Sequence, residues 1–577
     1  MDWEPRKAVN HSRLSLSASW SALGVALAVA LAWTMVIWSI PGSQNFPLGD
    51  DFAFTQGAIR FARGEGIHYG YHASMPLLGQ WLWAVPFLWA GPESPHVALR
   101  LSTILLGGLG LCAFYDLLRH DGFDPGQAGF LTGVLAFNPL YFLLQGTFMS
   151  DVPALAFALI ALALYRRTMD ANGLWTLTGA ALAAILAVST RQNAIAAPLA
   201  MAVVVGLRPD LRRQWSWRAA IGLPILIGIA IHVWFISRRD VWPIKATLEL
   251  NMTYLAMWAI VAQMVGLLLL PVLLQNAFSA SRDTPHASRL TMLVFPVACL
   301  LLAAGLVYWG MRITMVQELV PGDDFQPWFP YTMPMLGPYG PFSEVQGYGP
   351  LVLPLSARQV LTAVGIFAGA AVVSRLLYAP PNRLCSSPVV MYSAIQGLLF
   401  ILAPKIYDRY FLILLPGVMA AIATRADILA PRRWIGWLGL AAMAIFSIAL
   451  MHDWLSWNEA RWSLGKKAVA SGIHPWEIEG GLEWNGWYAP ATQPDLPPAR
   501  GTSETLLTYN AALKFFHVIG RYSLSSDRLA DTVVRDRWPY AVWLPPGRRF
   551  FLLVESVPGA SRHHNADIKP AAEPGRE

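Results

Sequence analysis

The sequence predicts a polytopic α-helical membrane protein, and three observations carry that reading. Of its 577 residues, 55% are hydrophobic and only 13% are charged, whereas soluble domains carry about a quarter charged residues. There are 25 tryptophans, a residue that favours membrane interfaces. The apolar residues fall in about 13 runs, most of them near the ~17–25 residues that a bilayer core requires, with 151–167 and 194–207 shorter and 194–207 long enough only if it extends into its flanks. The formal charge of +7 excludes nucleic acid as the natural partner here, because the basic residues lie dispersed at the ends of apolar runs rather than on one stripe.

The runs fall in order along the chain. The first, 20–40, follows Arg6, Lys7 and Arg13 and has no small-residue cleavage site before Gln44 and Asn45, so it reads as a retained helix. The others are 98–118, 128–147, 151–167, 174–190, 194–207, 218–237, 253–275, 290–311, 357–378, 388–403, 409–424 and 433–451. Segment 75–91, "MPLLGQWLWAVPFLWAG", is short, broken by proline and rich in tryptophan, which suits a helix lying at the interface.

Loop charge decides orientation. With 75–91 not spanning, Arg119, Arg166/Arg167, Arg208/Arg212/Arg213/Arg218, Arg282/Arg289, Arg375/Arg383 and Arg425/Arg432/Arg433 join the N-terminus inside, and Arg238/Arg239/Lys245 is the main outside exception. The C-terminus is then outside. The expected organisation is a cytoplasmic segment 1–19, a transmembrane domain 20–451, a small extracytoplasmic α/β domain 452–560 and a disordered tail 561–577. The α/β assignment rests on the amphipathic "HDWLSWNEARWSLGKKAVASG" and the strand-like "YAVWLPP" and "RRFFLLVES". Cys112 and Cys299 lie in apolar runs and Cys385 in a basic loop, so no disulfide framework follows.

The candidate chemistry collects on the outside face. Asp50 and Asp51 in "PLGDDFAF" open a short amphipathic segment. Locally, Asp50 reads as a helix N-cap and Asp51 as a first-turn carboxylate. Asp151 in "FMSDVPALAF" reads locally as another helix start, yet the topology puts it on the same face as Asp50 and Asp51. Arg191 in "STRQNA", and Lys405, Asp408 and Arg409 in "APKIYDRYFLILLP", stand at outer helix ends. Charges at a membrane edge are costly and point to function, and the guanidinium fork matches phosphate oxygens. The bland alternative is that these cations snorkel to headgroups or pair with Asp408. His68 and His72 are four apart, but glycines at 66 and 70 argue for a loop over a metal-binding helix. A second acidic pair in "PGDDF" (321–325) reads as turn chemistry, and the Gly/Pro/aromatic-rich 313–356 as a long functional loop.

An acidic pair in the first outer loop, Phe54 four residues after Asp50, and then a Trp-rich segment containing His72 and Pro76 resemble the GT-C superfamily of integral-membrane glycosyltransferases. The branch most resembled is that of protein O-mannosyltransferases and lipid A aminoarabinose transferases. The family pair is usually Asp-Glu where this chain has Asp-Asp, and the family His-Pro-Pro-Leu element is reduced here to "HASMPLL". "MSDVPALAF" resembles the second-loop acidic motif and "YDRYFLILLP" the late Arg-Tyr helix start.

The resemblance implies a plasma (inner) membrane enzyme that moves a sugar from a polyprenyl-phosphate donor to a protein, lipid or glycan hydroxyl on the outer face, with inversion. It implies Asp50 as general base and Asp51 as the residue orienting Asp50 or the acceptor. Asp151, Arg191, Lys405, Arg409 and His72 would bind substrate. No cofactor is required by that chemistry, and a divalent metal stays open. The rival reading is a transporter or lipid flippase, which tends to show internal repeats and mid-membrane charges; neither is seen. The tail motif "GLEWNGWY" (481–488) receives no role.

Overall fold

The computed structural model describes residues 16–69, 73–171, 173–238, 252–277, 294–305, 307, 355–377, 385–401, 408–423, 434–488, 521–525, 532–544 and 546–556. His72, Lys405, the acidic pair at 323–324, nearly all of loop 313–356 and the 561–577 tail lie outside the described residues.

The helices follow the apolar runs. They are α1 (Leu16–Ser39), α2 (Asp51–Ala62), α3 (Leu78–Ala90), α4 (Pro95–His120), α5 (Pro125–Ala136), α6 (Pro139–Gln145), α7 (Asp151–Ala171), α8 (Leu174–Thr190) and α9 (Ala196–Gly206). Then come α10 (Pro209–Arg212), α11 (Trp215–Ile236), α12 (Met252–Leu268) and α13 (Leu270–Ala277). α14 is Val294–Gly305. The last are α15 (Leu355–Leu377), α16 (Pro388–Phe400), α17 (Leu415–Ile422), α18 (Trp434–Ala470) and α19 (Leu482–Tyr488). Among the described residues, five helices are long and apolar enough to cross a membrane, or six if one bent pair is a single span.

Several expected spans are broken, and proline is the local cause. Segment 128–147 is α5 and α6, bent by 64°. Pro139 has no N–H to continue the ladder, and the Asn138 side chain accepts from Leu140 N and starts a new helix. Segment 409–424 is a 3₁₀ turn, Asp408–Ile413, followed by α17 with Pro416 in its first turn. Segment 75–91 yields α3, whose 13 residues cover about 20 Å against a hydrocarbon core of about 30 Å. Its tryptophans differ: Trp81 is fully buried and donates from Nε1 to Phe54 O at 3.2 Å, whereas Trp89 is exposed.

α18 differs most from the sequence reading. A domain boundary was expected at 451/452, but the helix runs unbroken for 37 residues, about 55 Å. The amphipathic segment after 451 is its continuation. There His452, Asp453, Asn458, Glu459 and Arg461 are all buried: a four-stranded sheet covers His452 and Asp453, Glu459 accepts from Gln44 N, and Arg461 pairs with Glu483.

That sheet has strand order β1-β2-β4-β3, with β1 Ile478–Glu479, β2 Tyr522–Ser525, β3 Thr532–Trp543 and β4 Pro546–Ser556. β1 runs parallel to β2, and the other pairs are antiparallel. Asp453 ties the sheet down by accepting from the backbone N–H of Trp543 (2.6 Å) and Leu544 (2.8 Å). His452 stacks on the Trp543 ring at 3.8 Å. Lys467 pairs with Asp536 at 2.6 Å farther along the helix.

Candidate active site

The acidic pair sits on a tight turn that Gly49 makes possible, with φ +62° in the left-handed region. Asp50 occupies the N-cap position of α2, but its side chain makes no cap hydrogen bond. Its Oδ2 instead lies 2.9 Å from Arg409 Nη2. The local capping reading therefore gives way to a tertiary ion pair across 359 residues of sequence.

Asp51 turns the other way. Its Oδ1 accepts from Leu48 N at 2.6 Å and its Oδ2 from Phe148 N at 3.0 Å. The side chain is buried, and it clips the first acidic turn to the segment just before Asp151. Burial pushes its pKa up to about 8; the two backbone N–H bonds and the nearby Arg100 oppose the shift, and Glu483 adds to it.

Asp151 is the first residue of α7, and Arg191 follows the last residue of α8. Short connections bring these two ends together. Arg191 Nη1 hydrogen-bonds Asp151 Oδ1 and lies 3.4 Å from Ser150 Oγ. Asp151 Oδ2 is buried with no hydrogen-bond partner among the described residues.

Tyr410 joins the two ion pairs. The Arg191 guanidinium carbon lies 4.9 Å from the ring centroid and that of Arg409 lies 5.8 Å from it. Arg409 Nη1 also reaches to within 4.0 Å of Met149 Sδ. Four remote stretches thus converge: 48–51, 148–151, 191 and 409–410. Of the four charged side chains, Asp50 keeps the most exposure, 17%, against 8% for Arg409, 9% for Arg191 and 2% for Asp151. Asp50 is thus the more accessible of the two paired carboxylates.

Around this centre the scaffold is held by backbone-directed bonds. Leu77, at φ +60°, donates its N–H to Thr190 O at 3.1 Å, which docks the start of α3 on the end of α8. Gln80 Nε2 donates to Phe148 O at 2.8 Å. Arg100, buried in α4, donates to Gln44 O (3.2 Å) and Phe46 O (3.3 Å) and holds the segment leading to the acidic turn.

Of the residues predicted from sequence, Asp50, Asp51, Asp151, Arg191 and Arg409 come together. Sequence reasoning missed Tyr410, Arg100 and Glu483. For Arg100 a signal existed: an arginine within an apolar run demands a partner. Tyr410 stood beside Arg409 in the quoted "DRYF", but nothing local says its ring lies between two arginines. Among the described residues, no group of three or more His, Cys, Asp or Glu side chains is arranged to hold a metal ion.

At the opposite ends of α4 and α7, Arg167 pairs with Asp116 at 2.8 Å and His120 Nδ1 approaches Asp170 at 3.1 Å. The two ends of the bundle thus carry separate charge clusters.

No family model matches the sequence, and no curated protein matches it. Solved structures give faint likenesses. One is the S. cerevisiae protein O-mannosyltransferase Pmt1–Pmt2 complex bound to the sugar donor: 17% identity, 39% of this chain and 34% of that chain covered, TM-score 0.32. This chain therefore spans about a third of that one. ArnT from Cupriavidus metallidurans in the apo state shows 14% identity over 94% of this chain and 98% of that one, with TM-score 0.38. ArnT bound to undecaprenyl phosphate shows 13% identity, 93% and 98% coverage and TM-score 0.34. With all three TM-scores below 0.5, these likenesses assign neither a fold nor an activity to this chain.

Proposed function

We propose that this chain is an integral-membrane glycosyltransferase that moves a sugar from a polyprenyl-phosphate donor to a hydroxyl acceptor, with inversion at the anomeric carbon. The observation that carries the reading is the Asp50–Arg409 pair standing beside the Asp151–Arg191 pair around one tyrosine ring. A displacement of a sugar from phosphate needs one base and a cationic cradle. The acceptor oxygen forms its bond to the anomeric carbon as the carbon–oxygen bond to phosphate breaks. The acceptor proton passes to a carboxylate, and the phosphate leaves with the bonding pair.

Asp50 is the base. In the resting site it lies against Arg409, so a donor phosphate entering the cradle competes with it for that guanidinium. Once phosphate oxygens occupy Arg409 and Arg191, Asp50 Oδ2 is released toward the acceptor hydroxyl. Asp151 is too buried to meet the acceptor and serves to aim Arg191. Asp51 acts as the clip that aligns the two acidic segments. Lys405 and His72 are further candidates for the donor. The sugar is a hexose or pentose, and the acceptor a protein, lipid or glycan hydroxyl.

The arginine-rich loops favour an inside location for the Asp116–Arg167 end, which supports a site for Asp50 on the outer face, in our reading that of the plasma (inner) membrane. The gathering of charge at the ends of α7, rather than along its middle, favours a transferase over a transporter. The test is transfer of label from a panel of polyprenyl-phosphate sugars by the purified protein, wild type against Asp50→Asn. Undiminished transfer by the Asn variant would sink the mechanism.

A further inference from the structure

We propose that Glu483, on the tail helix α19, is a positioning residue for Asp50, and that the candidate site is incomplete without this tail helix. The inference rests on the glycosyl-transfer reading of Asp50 and deepens it. Glu483 Oε1 accepts the N–H of Gly49 at 3.0 Å, across 434 residues of sequence. Gly49 is the residue that turns the chain into Asp50. The other carboxylate oxygen, Oε2, lies 3.0 Å from Arg461 Nη2, and both side chains are fully buried.

Arg461 is itself held in place. It donates to Asn458 Oδ1 at 2.7 Å and lies 4.8 Å from the centroid of the Trp457 ring. Gly481, at φ +87°, lets the loop pass close over it; a Cβ there would sit 2.7 Å from Arg461 Nη1. α18 thus supplies a rigid anchor, and Glu483 conveys it to the acidic turn.

The rest of α19 seals the same joint. Trp487 O accepts from Gln56 Nε2 at 3.3 Å, and the Trp487 ring packs on His96 at 4.6 Å. Gly486 lies so close to α2 that a Cβ would meet the Phe52 ring at 2.3 Å. Trp484 is buried against Trp462 at 5.0 Å. The segment "GLEWNGWY" is therefore a latch that presses on residues flanking Asp50, Gly49 before it and Phe52 and Gln56 after it. A buried carboxylate held by one arginine and spending its second oxygen on a single backbone amide fixes that amide's position.

The experiment uses the full chain in detergent with Glu483→Ala, Glu483→Gln and Gly486→Ala. Amide hydrogen exchange is followed in peptides covering 47–54 and 186–196, and kcat and KM are measured with a polyprenyl-phosphate sugar. In Glu483→Ala, exchange in 47–54 rises about tenfold while the segment around Arg191 is unchanged. Its kcat falls about 100-fold, with donor KM within about twofold of wild type. Glu483→Gln keeps an oxygen for Gly49 N–H but turns its amide N–H groups toward the Arg461 guanidinium, so it recovers kcat only in part and is less stable than wild type. Gly486→Ala leaves both charges paired and reproduces the local exchange change, so it decides the matter if Glu483→Ala does not fold. Unchanged exchange in 47–54, an equal rise throughout the chain, or a raised KM at constant kcat would overturn the positioning role. A wild-type protein inactive on every polyprenyl-phosphate sugar would overturn the glycosyl-transfer reading instead; the exchange data would still report whether Glu483 braces the turn.

Discussion

Arg191 and Arg409, 218 positions apart in the sequence, face the same ring, that of Tyr410, at 4.9 and 5.8 Å from its centroid. Each guanidinium is also paired with an aspartate, Asp151 and Asp50 respectively. The ring lies near two like charges, each neutralised by its own aspartate. Two cations that are close, oriented and already balanced suit a site that exchanges one anion for another.

The first prediction concerns Asp50. Asp50→Asn keeps the size of the side chain and removes its ability to take a proton. Transfer falls about 10²–10⁴-fold, the usual span for loss of a general base. Binding of polyprenyl phosphate is retained or tightened, because Arg409 no longer faces a competing carboxylate. Rates and donor affinity measured on the same preparation check both halves.

Asp151 has a structural consequence as well as a chemical one. Asp151→Ala strands Arg191 in a buried place without its partner, a change that costs about 3–5 kcal/mol. A much lower apparent Tm in detergent is expected, with donor binding lost. Arg191→Lys keeps the charge but not the fork, so donor KM rises about tenfold while the fold survives. An Asp151→Ala protein as stable as wild type would count against the pairing.

Tyr410 separates ring from hydroxyl. Tyr410→Phe preserves the aromatic face and should leave donor affinity within about twofold. Tyr410→Leu removes cation–ring attraction from both arginines, worth about 0.5–2 kcal/mol each. A donor Kd raised at least about fivefold in Leu but not in Phe, measured by titration with polyprenyl phosphate, is the expected pattern.

Asp51 gives stability a pH dependence. Burial raises its pKa to about 8 from the ordinary 3.8. Between these values the folded chain holds a proton that the unfolded chain has released. The contribution is therefore full below about pH 4, declines as pH rises through about 8 and is flat beyond. Asp51→Asn cannot titrate. Its amide nitrogen also cannot accept from Phe148 N–H, so the variant is less stable overall. The Tm difference between wild type and Asp51→Asn is expected to shrink from pH 5 to pH 9. A gap that stays constant over that range would show that the carboxyl is already charged in the folded state.

Much of the architecture was legible because the signals are local. Apolar runs of bilayer length located the helices, and Pro86 and the tryptophans of 75–91 marked α3 as a short element. The breaks at Pro139 and at Asp408–Ile413 were less legible, because apolar composition continues across them and only backbone geometry interrupts the helix. The length of α18 was hidden for a related reason. The sequence turns polar after 451, and that change of composition does not tell that the same helix continues to Ala470 and meets a sheet through polar contacts.

For the site, sequence alone identified five of the charged residues that meet: Asp50, Asp51, Asp151, Arg191 and Arg409. They could be found because charge at the ends of apolar helices is rare and conspicuous. Residue type and spacing could not say which carboxylate pairs with which arginine, or that adjacent Asp50 and Asp51 face different partners. Nor could they show that the turn before Asp50 is held by Glu483. Apolar periodicity is written into each helix separately, so the sequence determined a membrane protein with charge gathered at its helix ends. Pairing joins residues 40, 359 and 434 positions apart. Only the packing of helices against one another sets those distances, and so only the tertiary structure decided which of these charges form the site.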